Sequence, residues 1–246
     1  MVFDAEIFER YIAKREKSAQ RVSVFIRIGY HLFRNKIFLA FIGVFETVLG
    51  IILTLPIPVY APLINGFISQ LPGSPFFMGV YLRGIYWRRK LKHLGKNVVI
   101  EEGVKITSPE YIEIHDNTMI DKGAILQAGK PKQYDHQRIL KGGEIVDEGL
   151  LVIGKNVVIA SYATIGAYGG IKIGDGTGIG AQTNVYSFVH MSMKPHYSYE
   201  VSMTIGKDVL IGGQSSIICV KDIPDQTIIK PNTYLNESFL KKAGQE

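Results

Sequence analysis

The chain has 246 residues, a formal net charge of +6 from 28 lysines and arginines against 22 aspartates and glutamates, and one cysteine. This length is enough for a sizeable core in one or two domains. The lone Cys219 excludes an internal disulfide and a cysteine-based zinc site. The basic residues do not form the aromatic-interleaved patch that nucleic-acid binding needs, so no nucleic-acid partner is expected.

Residues 1–95 are predicted to form a helical, membrane-associating region. Residues 1–35 combine an apolar stripe with many lysines and arginines, a composition typical of an interfacial amphipathic helix. The alternative is a soluble helical domain whose apolar face packs on the rest of the protein.

An apolar run over residues 37–82 is the strongest membrane signal, because Glu46 is its only charged residue. The run has the length for two passes of about 18–20 residues, and prolines in its middle cannot continue a helix. A Pro-broken hairpin that binds membrane lipid is therefore predicted, either spanning the bilayer or entering one leaflet. Basic clusters on both sides of the run favour the cytoplasmic face of the cell (inner) membrane.

Isoleucine and valine recur at every sixth residue through most of the chain after Val98. The trains begin at Ile100, Ile114, Ile153, Ile173 and Ile205. A period of six fits neither an α-helix nor an alternating strand, and an evenly spaced β-sandwich would show period two. Three hexads close one triangular turn, so a mainly β fold, a parallel β-helix of hexapeptide repeats, is predicted over residues 96–235. Residues 236–246 are a C-terminal tail.

The repeat is interrupted twice, over residues 129–150 and 185–203. Excursions from a regular scaffold are where binding and catalytic groups usually lie. Three histidines occur there, His136 in the first interruption and His190 and His196 in the second.

The stretch TNVYSFVHMSMKPHYSYEVSMTIGKDVLIGGQSSII resembles the catalytic-histidine segment of the hexapeptide-repeat acyltransferases, in their maltose and xenobiotic acetyltransferase branch. The pattern aliphatic–Tyr–Ser/Thr–x–x–His is met by Val185 to His190, and the DVWIGG-like coil reads DVLIGG, Asp208 to Gly213. The resemblance covers about residues 95–235. It implies a left-handed β-helix, a homotrimer, and acyl transfer from acetyl-CoA, or in some members from acyl carrier protein, without a metal.

The resemblance implies His190 as the general base, with His196 as the alternative. A histidine with a pKa near 6.5 accepts the proton of a hydroxyl at neutral pH, and no nucleophile–base spacing suggests a covalent intermediate. Glu200, or a carboxylate of the first interruption, is a candidate to orient the imidazole.

Other site residues are assigned more openly. Backbone N–H groups of Gly212 and Gly213 are candidates to stabilise the thioester oxygen, with plain corner glycines as the alternative. Lys221 and Lys230 are candidates for the coenzyme A phosphates, with solvated lysines as the alternative. The candidate substrate contacts are Tyr186, His136 and His196.

The predicted function is an acetyl-CoA-dependent O-acyltransferase that acts on a saccharide or lipid-linked acceptor near a membrane, as in polysaccharide biosynthesis. The alternatives are a non-catalytic scaffold of a membrane assembly and an N-acyltransferase on an amino sugar. Transferases of the last kind usually carry a nucleotide-binding domain first, and no glycine-rich strand–turn–helix precedes Val98. A carbonic anhydrase on this fold would need three zinc-binding histidines, which the coil faces lack.

Overall fold

The computed structural model describes residues 34–56, 60–71, 78–129, 138–141, 149–190 and 197–236, together with Glu9 and Leu32. The helix predicted within residues 1–35 therefore lies almost wholly outside the described residues. Three helices follow: α1 at Lys36–Leu53, α2 at Tyr60–Gln70 and α3 at Met78–Arg88. Helix α1 ends three residues before Pro56, as the loss of a backbone N–H at proline requires.

Eighteen strands of the described chain form three six-stranded parallel sheets. Sheet A contains β1 (His93–Leu94), β4 (Ile112–Ile114), β8 (Leu151–Ile153), β11 (Ile171–Ile173), β16 (Met203–Ile205) and β19 (Asp222–Ile223). Sheet B contains β2 (Val99–Ile100), β5 (Met119–Ile120), β9 (Val158–Ile159), β12 (Gly178–Ile179), β17 (Leu210–Ile211) and β20 (Ile228–Ile229). Sheet C contains β3 (Lys105–Thr107), β6 (Ile125–Gln127), β10 (Thr164–Gly166), β13 (Asn184–Tyr186), β18 (Ser216–Ile218) and β21 (Tyr234–Asn236).

The chain visits the sheets in the order A, B, C and repeats this path through six coils. Each strand pairs with the strand of the same sheet one coil away, for example Ile165 with Val185 and Val185 with Ile217. The predicted parallel β-helix is therefore confirmed, whereas the left-handed sense of its winding stays a prediction.

The inward positions agree with the hexad pattern. Ile153, Ile159 and Ile165 are completely buried, and the later trains are almost equally so. Small residues lie four positions after the isoleucines of these trains and are also buried: Val157, Ala163, Thr177, Thr183, Val209 and Ser215. Their hydroxyl groups are satisfied by the neighbouring coil, since Thr177 Oγ1 donates to the Gly206 carbonyl over 2.8 Å.

Arg83 joins the helices to the first coil. Its side chain, in α3, is only 1% exposed and lies 3.8 Å from the Glu101 carboxylate. The guanidinium donates to the carbonyl groups of Ile100 in the first coil and of Ile68 and Leu71 at the end of α2. Burial lowers the pKa of Arg83, and the nearby glutamates oppose this shift.

Helices α1 and α2 carry an exposed apolar surface, which we name the apolar face. Its members are Ile37, Phe41, Val44, Phe45, Val48, Ile51, Ile52, Leu63 and Phe67, with Ile37 82% exposed and Phe41 70%. The one charge of the apolar run, Glu46, is 7% exposed and accepts a hydrogen bond of 3.1 Å from the Tyr81 hydroxyl of α3. The apolar face is thus free of the Glu46 charge. Among the described residues, no helix has the length and apolarity to cross a membrane.

A second exposed apolar surface follows the outside of sheet B, and we name it the outer ladder. Its members, paired one above the other, are Val99, Met119, Val158, Gly178, Leu210 and Ile228. Leu210 is 52% exposed and Ile228 74%. The corresponding outward positions of sheet A are more polar, since they include Glu113, Lys172 and Asp222.

Candidate active site

Both interruptions of the repeat leave the β-helix at the same edge. The first lies between β6 of sheet C and β8 of sheet A, and the second between β13 of sheet C and β16 of sheet A. We call the edge where the chain passes from sheet C to sheet A the CA edge, and the edge between sheets B and C the BC edge. Because each coil repeats the same path, two interruptions at the same point of the repeat come together beside the coils.

The two interruptions pair to form a separate three-stranded sheet, which we name the lateral sheet. Strand β7 (Arg138–Lys141) of the first runs parallel to β15 (Tyr197–Glu200) of the second, and β14 (Phe188–His190) is antiparallel to β15. The sequence predicts each interruption as a functional segment but contains no signal for their pairing, since parallel partners 59 residues apart, Arg138 and Tyr197, share no local pattern.

The backbone of His190 forms the last residue of β14, opposite Ser198 on β15. His190 is thus held on a strand of the lateral sheet, four residues after the coil residue Tyr186. Strands position a functional group more rigidly than an isolated loop does. His136 and His196 lie outside the described residues.

The start of the second interruption is fixed by buried hydrogen bonds. The Ser187 hydroxyl accepts from the Gly169 N–H over 2.9 Å and donates to the Gly166 carbonyl over 3.2 Å. Gly169 leaves no room for a side chain, because a Cβ there would lie 2.6 Å from the Val201 carbonyl oxygen. The two ends of the interruption, at Ser187 and Val201, are therefore clamped against the preceding corner.

Three aromatic rings cluster beside this clamp. Tyr168, in the CA-edge corner of the previous coil, stacks on Phe188 with centroids 4.3 Å apart and planes inclined by 25°. Tyr186 meets Phe188 edge to face at 5.6 Å. All three rings are half-buried. Burial raises the pKa of Tyr186, and a hydrogen bond with the Thr164 side chain opposes part of the shift. Sequence reasoning identified Tyr186 but missed Tyr168 and Phe188, whose only signal is an aromatic residue next to a corner or an interruption.

Glu200 is a carboxylate on the strand paired with β14. It is 5% exposed and lies opposite Phe188 in the antiparallel pair. The neighbouring pair is His190 with Ser198, so Glu200 and His190 belong to adjacent strands of one small sheet. Glu200 thus remains a candidate orienting group.

The structure divides the residues assigned to the cofactor between two edges. Lys221 is exposed and lies at the CA edge, between β18 and β19. Gly212, Gly213 and Lys230 lie at the BC edge. The Gly212 N–H donates to the Ile229 carbonyl over 2.8 Å, so within the coil this N–H is already engaged. One chain therefore does not bring Gly212, Gly213 and Lys230 to the edge that carries His190.

Residue types that can bind a metal ion do not cluster in the described coils. No three side chains from histidine, cysteine, aspartate and glutamate come together there as a set that could hold an ion. Cys219 is buried in the corner between the fifth and sixth coils.

Comparison with known proteins gives matches among solved structures. No protein-family profile and no curated protein matches the chain. A hexapeptide-repeat-containing acetyltransferase from Vibrio cholerae shares 17% identity over 68% of this chain and 81% of its own, with a TM-score of 0.45. A maltose O-acetyltransferase from Clostridium difficile 630 shares 20% identity over 69% of this chain and 78% of its own, with a TM-score of 0.46. A variant of AntD, an N-acyltransferase from Bacillus cereus in complex with dTDP and coenzyme A, shares 19% identity over 64% of this chain and 91% of its own, with a TM-score of 0.42.

Proposed function

We propose that this protein is an acyltransferase that moves an acetyl or other short acyl group from acetyl-CoA to a hydroxyl of a membrane-proximal saccharide or glycolipid. The observation that carries the proposal is the lateral sheet, which holds His190 on a strand next to a half-buried aromatic cluster. A scaffold has no need of a histidine fixed in this way, at the one edge where both interruptions meet.

The chemistry is a direct transfer. His190 takes the proton of the acceptor hydroxyl while the hydroxyl oxygen bonds to the thioester carbon. The C–S bond of the resulting tetrahedral intermediate then breaks, and the proton passes from the imidazolium to the departing sulfur, so coenzyme A leaves as its thiol. Histidine suits both steps because its ordinary pKa, near 6.5, lets it accept and return a proton at neutral pH.

A homotrimer is part of the proposal. The candidate phosphate-binding lysines lie at different edges, Lys221 at the CA edge and Lys230 at the BC edge, so a site that uses both is assembled between two copies of the chain. The outer ladder supports such assembly, because a row of exposed apolar side chains, here Met119, Val158, Leu210 and Ile228, is typical of a surface that another protein covers. Sheet B is also more apolar on its outside than sheet A, whose outward positions include the charged residues Glu113, Lys172 and Asp222, which favours sheet B as the covered face.

Attachment to the cytoplasmic face of the inner membrane completes the proposal. The apolar face is flanked by exposed basic residues: Arg34 before α1, Lys36 at the first position of α1, and Arg89 after α3. Anionic headgroups attract basic residues in this arrangement. Arg83 holds α2 and α3 to the first coil, and the lateral sheet leaves the β-helix between the second and fifth coils. At about 4.8 Å per coil, His190 lies about 10–20 Å from the first coil along the axis, within reach of a lipid-linked acceptor.

The test is acetyl-CoA binding and slow hydrolysis by the purified protein in detergent, with wild type beside His190→Ala. The matched control is His115→Ala, because His115 lies on the corner after β4, next to His93 and away from the lateral sheet. We expect all three proteins to bind acetyl-CoA and only His190→Ala to lose turnover. Full turnover by His190→Ala would refute the assigned base. Absence of binding by all three would instead favour an acyl-carrier donor or a scaffold.

The acceptor atom is tested separately. Supplying methyl glucopyranoside and its 4-amino analogue as competing acceptors compares transfer to oxygen with transfer to nitrogen. Preferential acetylation of the amine would support the N-acyltransferase alternative and contradict the proposed O-acylation.

A further inference from the structure

We propose that Tyr168, Tyr186 and Phe188 form an aromatic platform that binds the apolar face of a pyranose ring of the acceptor beside His190. This inference rests on the proposed acyl transfer and names the group that the acceptor site recognises. It assigns a role to Tyr168 and Phe188, which the transfer chemistry alone does not use.

The platform is built on a glycine. A Cβ on Gly166 would lie 2.4 Å from Cδ1 of Tyr186 and 2.9 Å from Cε1 of Phe188, so both rings lie against the bare backbone of that strand. Gly166 pairs with Tyr186 across sheet C. The aromatic surface is therefore set by the backbone as well as by ring packing.

The three rings are not needed to fill the β-helix. The inward residues of the same two strands, Ile165 and Val185, are fully buried and close the core without them. On the outside of sheet C, the positions in register with Tyr186 are Thr107, Gln127, Gly166, Ile218 and Asn236. In the described coils aromatic character at this position therefore occurs only where the second interruption begins.

The chemistry of the platform suits a sugar. One face of a pyranose presents C–H groups, which pack on the electron-rich face of an aromatic ring, while its edge presents hydroxyls. Partly exposed aromatic rings in a polar setting are thus suited to bind a sugar face and leave its hydroxyls free to react.

Position along β14 distinguishes the acceptor from the donor nucleotide. Phe188 and His190 are two residues apart on one strand, so their Cα atoms are about 7 Å apart. A sugar ring bound on the platform therefore lies beside the backbone of His190. The adenine of coenzyme A is separated from the thioester by the whole pantetheine arm, so adenine on the platform would leave the reacting carbon far from His190.

The experiment uses the full-length protein in detergent with two variants, Phe188→Leu and Gly166→Ala. Phe188→Leu removes one ring. Gly166→Ala keeps all three rings but adds a methyl group where the Tyr186 and Phe188 rings pack on the backbone. Tyr162→Leu is the control, because the Tyr162 ring also lies against a glycine, Gly123, but at the BC edge. The probes are the methyl pyranosides of glucose, galactose, mannose and N-acetylglucosamine, with sorbitol as a polyol that has no ring face.

Three readouts are compared: transfer of acetyl to each probe, acceptor-independent hydrolysis of acetyl-CoA, and magnetisation transfer from aromatic protein protons to sugar protons by NMR. We expect at least one pyranoside, and not sorbitol, to receive magnetisation and acetyl. Its KM should rise about tenfold in Phe188→Leu and Gly166→Ala, whereas Tyr162→Leu should keep the KM and the hydrolysis rate of wild type.

Two results would overturn the inference. One is an unchanged KM in both variants; the other is the failure of every pyranoside to receive magnetisation from the aromatic protons. Failure of the proposed acyl transfer has a different signature, since wild type would then neither bind nor hydrolyse acetyl-CoA, while the NMR measurement would still report whether sugars bind the platform.

Discussion

Replacing Arg83 by methionine is expected to weaken the junction between the helices and the β-helix. Arg83 donates hydrogen bonds to three main-chain carbonyls, those of Ile68, Leu71 and Ile100. Methionine fills similar space but cannot donate, so these acceptors lose their partner. An unsatisfied buried acceptor costs about 1–3 kcal/mol, and release of the guanidinium from its buried site returns part of that sum. Loss of the partner of three such acceptors, less the recovered desolvation cost of the guanidinium, gives an expected net loss of about 3–5 kcal/mol.

The assay is urea unfolding of the purified protein in detergent, followed by circular dichroism in the helical band and the strand band. Arg89→Met is the control, because the exposed Arg89 makes one side-chain hydrogen bond, from Nε to Thr54 Oγ1 over 3.1 Å. Its loss should cost at most about 1 kcal/mol. Equal unfolding midpoints for Arg83→Met and Arg89→Met would refute the assigned role of Arg83.

Three further predictions concern packing and surfaces. Gly180→Ala should lower the melting temperature by several degrees, because its Cβ would lie 2.4 Å from a backbone nitrogen of the next coil. The control Gly178→Ala should melt like wild type, because its Cβ meets only a leucine methyl at 3.4 Å. Phe41→Asp should abolish sedimentation with anionic vesicles and leave the oligomeric state unchanged. Leu210→Glu should still sediment with the vesicles but lose the oligomer, which sedimentation velocity measures. Ser187→Ala should destabilise the protein by about 1–2 kcal/mol in urea, since it removes two buried hydrogen bonds. Equal melting of the two glycine variants, vesicle binding by Phe41→Asp, or unchanged stability of Ser187→Ala would contradict the corresponding contact.

The sequence is enough to predict the coil architecture because each hexad is a local unit. Val157 and Thr177 are small because they face a narrow interior, and both are buried four residues after an inward isoleucine. At corners, Asn156 and Asp208 adopt positive φ values of 55° and 53°, which asparagine and aspartate tolerate better than most residues. These features require only neighbours in sequence and the repeat itself, so a one-dimensional pattern is enough to predict them.

The amino-acid sequence alone thus determined the repeat, its inward residues, its two interruptions and the apolar run before it. Only the tertiary structure decided which distant groups meet. The two interruptions lie far apart in the chain, because whole coils come between them. They meet at the CA edge because stacked coils are close together in space. In the same way, Glu46 is turned from the apolar face to Tyr81, 35 residues away. Gly212 and Lys230 lie at another edge than His190, since a residue's edge depends on its phase in the coil and not on its distance along the chain.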